Sequence, residues 1–474
     1  MKTLKHILTA VCVTLSGSVM AQNLNSAYFL DGYSYGYELN PAKDYERKGF
    51  VGFPLLMLGN TNVSLSGNLA MKDIFYTLPN GKLGTFMHPS ISADQALENL
   101  NGGQRTNVDM RIDLINFGFH KWGGYNFFNL SMRSNTGFHA PGDLFEMAKT
   151  LSNKNYDISD FGIKNTTWME IGFGHSRNVT ESWRVGGTVK VLLGAGRVNM
   201  KAKSLKMDLA GPDKWLITAE AEIEASAKGL TWGEYNTDPY NDGTARPDGV
   251  IKFGNMDISK AGVGGVGLAF DLGTEWDMEK AGILKGMKLS ASLLDLGFIS
   301  WNNTLRGENV KQSYQFNGFN NIKVKDGEGK SMQSQFDDFT DGMEDLFTFQ
   351  DKGNDNGARA LGATLNIGVQ YKLPMYDKLE FGFLSTTRIQ GAYSWNEERL
   401  SANIHPVKWL EGGINFGFGS LGTSFGWVIN IHTKGFSIFA GMDRLMSKLS
   451  KQGIPTGSSA NASIGISFPF GSLQ

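Results

Sequence analysis

The chain has 474 residues, with 45 lysines and arginines against 46 aspartates and glutamates, so its formal net charge is -1. This balance gives no basic field for a nucleic-acid backbone, and the 41% of hydrophobic residues excludes a disordered chain. Glycine is enriched to 60 residues, about 13% against the roughly 7% of average proteins. The only cysteine, Cys12, lies in the leader described next, which excludes disulfides, cysteine-zinc sites and thiol nucleophiles from the mature chain.

Residues 1–21 have the features of a cleaved signal peptide. Lys2 and Lys5 give a basic start, the stretch from Ile7 to Val19 is apolar, and Ala21 ends a small-residue cleavage site. The apolar stretch is shorter than the roughly 20 residues that span a bilayer. We therefore expect an exported protein. Because no later window has about 18 consecutive apolar residues, strands must make any membrane crossing.

Residues 22–48 are rich in tyrosine and follow no regular period. Two interpretations remain open for this segment: it folds into the lumen of a barrel as a plug, or it forms an extra strand. Residues 49–474 then form the predicted barrel domain.

Two stretches with helical spacing interrupt the strand pattern further along. Residues from Asp143 to Ser152, after Pro141, and residues from Phe336 to Phe347 place their apolar side chains three and four positions apart. We predict two short amphipathic helices in loops. They either pack their own apolar stripe or line the mouth of the lumen.

A hairpin is predicted around a turn at Ala210 to Asp213. Its register places charged and polar residues opposite one another on one face and apolar residues on the other. The predicted pairs are Lys203 with Glu220, Lys201 with Glu222, Asn199 with Glu224, Ala202 with Ala221, and Met200 with Ile223.

Strict alternation of apolar and polar residues dominates the C-terminal half. From Arg359 to Lys372, Ile367 and its apolar neighbours alternate with a polar set that includes Asn366. The pattern recurs around Ile429 and continues to the C-terminus. Each strand therefore has one apolar face.

Three features favour a membrane barrel over a soluble sandwich. Strands of about 10 to 14 residues suit a bilayer crossing, and their polar faces are charged. Aromatic residues lie near proposed strand ends: Trp122, Tyr125, Trp183, Trp215, Trp276, Trp301, Trp395 and Trp409.

Counting back from the last strand places the long connections on the outer side: 70–105, 139–164, 228–261, 302–358 and 444–460. The short turns then fall on the periplasmic side: 123–124, 179–182, 210–213 and 433–434. About 17 strand-like segments, and the even number that bacterial barrels require, predict an antiparallel barrel of 14 to 16 strands.

The search for reaction chemistry predicts no catalytic residue, cofactor site or metal site. Gly262, Gly264 and Gly267 have dinucleotide-fingerprint spacing, but an alternating strand follows them instead of a helix. The seven histidines, His6, His88, His120, His139, His175, His405 and His432, show no metal-ligand spacing. A polar lumen accounts for the strand carboxylates, which are Asp109, Asp113, Glu170, Glu220, Glu222 and Glu224. We expect a protein that is not an enzyme.

Several stretches resemble an uncharacterised family of exported proteins from Bacteroidetes-type bacteria. They are the run from Asn25 to Tyr33, Leu39 to Ala42, His432 to Phe436, Gly441 to Asp443, and Gly453 to Pro455. More distantly, the Asn40-Pro41-Ala42 entry to the first strand resembles long-chain fatty-acid transporters and outer-membrane components of the type IX secretion system. The resemblance implies a barrel and leaves its cargo open.

The sequence therefore predicts an integral outer-membrane β-barrel in contact with lipid. Its expected function is a channel or transporter for a small or hydrophobic solute. A structural or secretion-associated component that binds protein partners is the alternative, and a soluble exported adhesin or binding protein is a third. The substrate-binding residues, the cargo and the oligomeric state stay open.

Overall fold

The predicted barrel is confirmed in the computed structural model, which describes residues 24–52, 60–78, 83–150, 152, 154–209, 215–232, 251–252, 256–258, 260, 262–309, 313–316, 346, 348–444 and 460–473. The strands are β1 (Arg47–Gly52), β2 (Thr61–Gly67), β3 (Phe75–Thr77), β4 (Leu83–Thr85), β5 (Gln104–Lys121), β6 (Gly124–Ala140), β7 (Asn155–Asp157), β8 (Phe161–Asn178), β9 (Trp183–Asp208), β10 (Trp215–Ala227), β11 (Leu230–Trp232), β12 (Ile251–Lys252), β13 (Met256–Ile258), β14 (Gly265–Asp277), β15 (Met287–Trp301), β16 (Thr304–Asn309), β17 (Ser313–Phe316), β18 (Thr348–Asn354), β19 (Gly357–Ala360), β20 (Ala363–Lys372), β21 (Leu379–Ile389), β22 (Trp395–Val407), β23 (Leu410–Gly419), β24 (Gly422–His432), β25 (Ser437–Met442) and β26 (Ala460–Leu473).

Fourteen antiparallel strands close the wall of the barrel, the lower bound of the predicted range. Strands β1 and β2 occupy one position in it, since both pair with β26 on one side and β5 on the other. The other wall strands are β5, β6, β8, β9, β14, β15 and β20 to β26. Pairing of the last strand with the first leaves the ring without an edge, so every wall strand has two neighbours.

The long connections lie together at one end of the barrel, as predicted. The end with residues 122–123, 179–182, 408–409 and 433–436 is called the turn end. The opposite end, called the loop end, has the long connections after β2, β6, β9, β15 and β25. Bacterial outer-membrane barrels are built with this asymmetry.

The outward face is apolar and the inward face polar, which the strand alternation dictates. Ile367 and Ile429 are 49% and 48% exposed, whereas Asn366 and Asn430 on the neighbouring positions are at most 1% exposed. The predicted facing of both strands is confirmed. An outward band of this kind is typical of strands that contact lipid.

The predicted aromatic girdle is correct only for part of its residues. Trp122, Trp183 and Trp409 are 68%, 44% and 49% exposed near the turn end, and Trp276 pairs directly with Trp183. The other four are buried and at most 8% exposed: Tyr125, Trp215, Trp301 and Trp395. Their positions near strand ends did not distinguish the inward from the outward face, so this part of the prediction was wrong.

Strand β9 continues past the wall at the loop end and forms an outer extension with β10, β16, β17, β18 and β12. The predicted register is confirmed for Lys201 with Glu222 and for its three neighbouring pairs, while a bulge after Glu220 pairs that residue with Ser204. Lys203 still contacts Glu222 at 2.8 Å and Glu220 at 3.8 Å. The side of the hairpin was predicted wrongly. Because β9 has 26 residues, the connection to β10 lies at the loop end.

Among the described residues, three α-helices lie at the loop end: α1 (Met71–Ile74), α2 (Ala93–Leu97) and α3 (Gly142–Thr150). Helix α3 confirms the first predicted amphipathic helix, and Leu144, Phe145 and Met147 are buried against the core of the outer extension. The second predicted helix, at 336–347, lies almost entirely outside the described residues. Within the part of the chain that the structure describes, no helix is long and apolar enough to cross a membrane.

Candidate functional site: the lumen and its N-terminal segment

Residues Leu24–Glu46, called the N-terminal segment, lie inside the barrel. They include two short 3-10 helices, Asn25–Ala27 and Gly36–Glu38. The tyrosines that obscured the period in the sequence form an aromatic core with wall residues: Tyr33 contacts Phe439, and Tyr37 stacks on Phe127 with ring centroids 4.5 Å apart. Arg47 and Lys48 already belong to β1, so the segment joins the wall at the turn end.

Polar contacts attach the segment to strands around the ring. Asp443 next to β25 accepts hydrogen bonds from the backbone N–H groups of Asn25 and Ser26 at 2.9 and 2.6 Å. Glu411 on β23 accepts one from the N–H of Gly32 at 2.9 Å. Ser292 on β15 donates to the carbonyl oxygen of Leu39 at 2.7 Å. The segment therefore fills the lumen without leaving these backbone groups unpaired.

The Asn40-Pro41-Ala42 motif shapes a turn that presses on the wall. Asn40 Oδ1 accepts from the N–H of Ala42 at 2.9 Å, and its amide donates to the carbonyl oxygen of Thr274 at 3.2 Å. A Cβ at Gly186 would overlap the carbonyl of Pro41, and one at Gly273 would overlap the Asn40 side chain. Glycine at these two wall positions makes room for the motif, which gives part of the glycine enrichment a structural reason.

A buried ionic network crosses the lumen beside the segment. Arg133 donates two hydrogen bonds to Asp295, at 2.7 and 2.8 Å, and one to Glu170 at 2.9 Å. Lys190 lies 2.7 Å from both Asp271 and Asp295. Groups from five strands thus pair with one another, as buried charges require.

Arg111 connects this network to the N-terminal segment. Its guanidinium lies 2.8 Å from Asp113 and 3.1 Å from Glu38 of the segment. Asn60 bridges the same two carboxyl groups, at 2.6 Å to Asp113 and 3.0 Å to Glu38. Burial and the nearby Asp113 charge raise the pKa of Glu38 well above its usual range, although Arg111 opposes the shift.

A β-bulge positions Asp295 for the network. Asp271 on β14 stands opposite two residues of β15, Leu294 and Asp295, and both of these turn inward. Asp295 has a φ of 60°, a conformation that aspartate tolerates better than most residues, and its N–H donates to Asp271 at 2.7 Å. The bulge places a carboxylate in the lumen at a position where alternation alone would not.

A central cavity of about 60 Å³ lies between the segment and the wall. Asn25 and Leu39 of the segment line it, together with Arg388, Asp109 and Trp168 from the wall. On the loop side, the connection between β21 and β22 folds inward: Gln390 donates to Asn135, and Tyr393 contacts His139 at 3.1 Å. The cavity therefore has a boundary on both sides.

A larger cavity of about 1030 Å³ lies at the turn end, between the segment and the wall strands. Glu411 lies within it, 3.1 Å from His405 and 3.8 Å from His432. Glu46 of the segment lines the same cavity. Desolvation, together with the like charges of Glu411 and Asp31, raises the pKa of Glu46 to about 7.

The structure separates the carboxylates singled out in the sequence into two groups. Asp109, Asp113 and Glu170 face the lumen, where the last two join the network. Glu220, Glu222 and Glu224 lie on β10 in the outer extension, and Glu224 pairs with Arg197 at 2.7 Å. The approach of His405 and His432 to one carboxylate was missed, because β22 and β24 are neighbours of β23 only in the folded sheet.

Within the described residues, no group of three or more histidine, cysteine, aspartate or glutamate side chains is placed to hold a metal ion. The strand predicted after Gly262 and Gly264 is present as β14.

Residues 41–443 match a family model described as a family of unknown function (DUF5723). No curated protein matches the sequence.

Solved structures that resemble the chain are barrels of similar length. The Ralstonia pickettii toluene transporter TbuX is 10% identical, with 96% of each chain covered and a TM-score of 0.42. The P. putida toluene transporter TodX is 8% identical, with 93% of this chain and 95% of that chain covered and a TM-score of 0.40. A Pseudomonas aeruginosa FadL homologue is 9% identical, with 95% and 97% covered and a TM-score of 0.34.

Proposed function

The chain belongs to the DUF5723 family of unknown function. From its geometry we propose that it is an outer-membrane channel for a small solute and that its N-terminal segment closes this channel. The observation that supports this proposal best is the segment itself. It fills the lumen of a closed ring and is attached to the wall mainly by hydrogen bonds and aromatic contacts, which are reversible. A displaced segment would leave a polar passage.

Membrane residence follows in this proposal from the apolar outer band and from the difference between the two ends. The leader at 1–21 delivers the chain to the periplasm, the turn end faces the periplasm, and the loop end faces outward. Transport is passive and requires no catalytic residue.

The lining of the lumen supports a small polar solute over a long hydrophobic one. The network around Arg133 and Lys190 and the side chains of Asn366 and Arg388 all face inward. An apolar chain passing these groups would remove water from them without replacing its hydrogen bonds, which is unfavourable.

A disulfide lock tests whether the segment must move. Ser34 of the segment and Ser467 of β26 have their Oγ atoms 2.8 Å apart, and the mature chain has no other cysteine. We expect S34C/S467C in liposomes to conduct poorly when oxidised and to recover under reductant. The matched control is S226C/T304C in the outer extension, where the two oxygens are 2.9 Å apart and a cross-link should not change conductance.

A deletion variant without residues 24–45, which keeps β1, should conduct more than the wild type. A deletion variant that stays closed, or a lock that leaves conductance unchanged, would overturn the proposal.

The outer extension favours one second candidate, a component that binds protein partners at the surface. Its strands reach beyond the wall and enclose an apolar core of their own, including Ile217 and Met207. Cross-linking in intact membranes, with a cysteine at exposed Leu216 on β10, would identify such a partner, and secretion-system proteins are the expected class.

A further inference from the structure

The central cavity contains polar groups whose hydrogen-bonding capacity the described residues do not satisfy. The indole N–H of Trp168 and the amide Oδ1 of Asn366 have no hydrogen-bond partner, although the two residues are 3% and 1% exposed. Buried polar groups are nearly always paired, so two unpaired groups lining one cavity point to a ligand.

Arg388 and Asp109 add one charge of each sign to the same cavity. Arg388 donates to Thr364 at 2.8 Å, and its nearest carboxylate, Asp295, is 3.6 Å away and already engaged by Arg133. Asp109 accepts a hydrogen bond from Asn135 and, among the described residues, forms no ion pair. The cavity thus offers a cation with a neutral donor and an anion with a neutral acceptor.

We propose that the central cavity binds a small amino acid in its zwitterionic form. The ligand carboxylate contacts Arg388 and the Trp168 N–H, and the ligand ammonium contacts Asp109 and Asn366 Oδ1. Charge-assisted hydrogen bonds of this kind are stronger than neutral ones. A lone anion would meet Asp109 unpaired, and a lone cation would meet Arg388, so a neutral ligand with both charges fits best.

The volume limits the ligand to the smallest members of this class. A water molecule needs roughly 10–15 Å³ of cavity volume, so about 60 Å³ accepts a molecule of about four to six non-hydrogen atoms. Glycine and alanine have this size. The inference rests on the proposed function, since such an amino acid would be the solute that the channel admits.

Equilibrium binding to the full-length mature protein in detergent tests the proposal. We expect glycine and alanine to bind in titration calorimetry, and acetate and methylammonium, which are the two halves of glycine, to bind at least tenfold more weakly. Absence of glycine binding would overturn the proposal, and so would acetate binding as tight as that of glycine.

Two variants and a matched control locate the site. R388Q and D109N should each weaken glycine binding at least tenfold, whereas R306Q, in the outer extension, should bind as the wild type does. Unchanged affinity in R388Q and D109N would also overturn the proposal. If these variants fail to fold, the binding of glycine, acetate and methylammonium to the wild type still tests the proposal.

The outcome is independent of the disulfide lock, since binding is measured without transport. If glycine binds but the disulfide lock leaves conductance unchanged, only the proposed channel function is contradicted. If the lock reduces conductance but glycine does not bind, only the present inference is contradicted.

Discussion

At the scale of single residues, the face of the strand on which a side chain lies was predictable, but its contacts with distant residues were not. Ile367 and Ile429 follow from alternation, which depends only on neighbours in the chain. The contact between Arg133 and Asp295 joins residues 162 positions apart, and no local pattern in the sequence reports it. Alternation placed Asp109 and Asn366 on the polar face, but nothing in the sequence indicated that they line one cavity with Arg388.

Replacing Ile367 or Ile429 with arginine should impair insertion. A lipid-facing arginine near the bilayer midplane costs about 2–4 kcal/mol. Heat-modifiable gel mobility of the membrane fraction measures the folded barrel, and both variants should show less of it. The control replaces Lys201 and Glu222 together with glutamine in the outer extension, where normal insertion is expected. Normal insertion of both arginine variants would contradict the facing.

Glu46 predicts that docking of the N-terminal segment depends on pH. Its pKa is raised from 4.5 to about 7 when the segment is docked, so the docked state holds its proton more tightly. Stabilisation is therefore fully present below about pH 4.5 and is lost as pH rises through about 7. Hydrogen exchange of the segment's amides, corrected for intrinsic rates, should show weaker protection at pH 8 than at pH 5. Glu46→Gln should reduce this trend, of which Glu38, whose pKa is also raised, keeps a part, and an undiminished trend in that variant would contradict the assignment.

At the scale of elements, the periodicity of apolar residues predicted the strands and the first loop helix. It did not reveal where a strand leaves the wall or where a bulge interrupts it. The hairpin register at Lys201 was predictable because charge and apolar pairing agree. The side of its turn was not, since 26 alternating residues of β9 give no sign of where the wall stops and the outer extension begins. The bulge at Asp295 was not predicted, because one inserted residue disturbs the alternation too little to be recognised.

The fit of the N-terminal segment against β9 gives a sharp element-scale prediction. Gly186→Val should displace the Asn40-Pro41 turn, because its side chain would overlap the Pro41 carbonyl. Trypsin cleavage at Lys43 should become at least tenfold faster. Gly187→Val is the matched control, since a Cβ there meets only ordinary contacts, the nearest at 3.4 Å from the carbonyl oxygen of Asp271. Equal cleavage rates in the two variants would contradict the role of Gly186.

At the scale of the whole molecule, closure of the ring was predictable but the contents of its lumen were left between two interpretations. The long connections fall only at every second place in the order of wall connections, and that order predicts an up-and-down barrel with two unlike ends. The N-terminal segment gives no such signal. Its tyrosines and its Asn40-Pro41 turn acquire a role only when the surrounding wall supplies their partners.

In the proposed channel, the attachment of the segment at Arg47 determines how the passage closes after each opening. A segment bound covalently at one end never diffuses away, and the 22 residues from Leu24 to Tyr45 reach at most about 80 Å when extended. Its local concentration at the entrance stays high after every release, so closure is an intramolecular step that needs no second molecule. In the proposed channel, each protein would therefore close again by itself, at a rate independent of its abundance in the membrane.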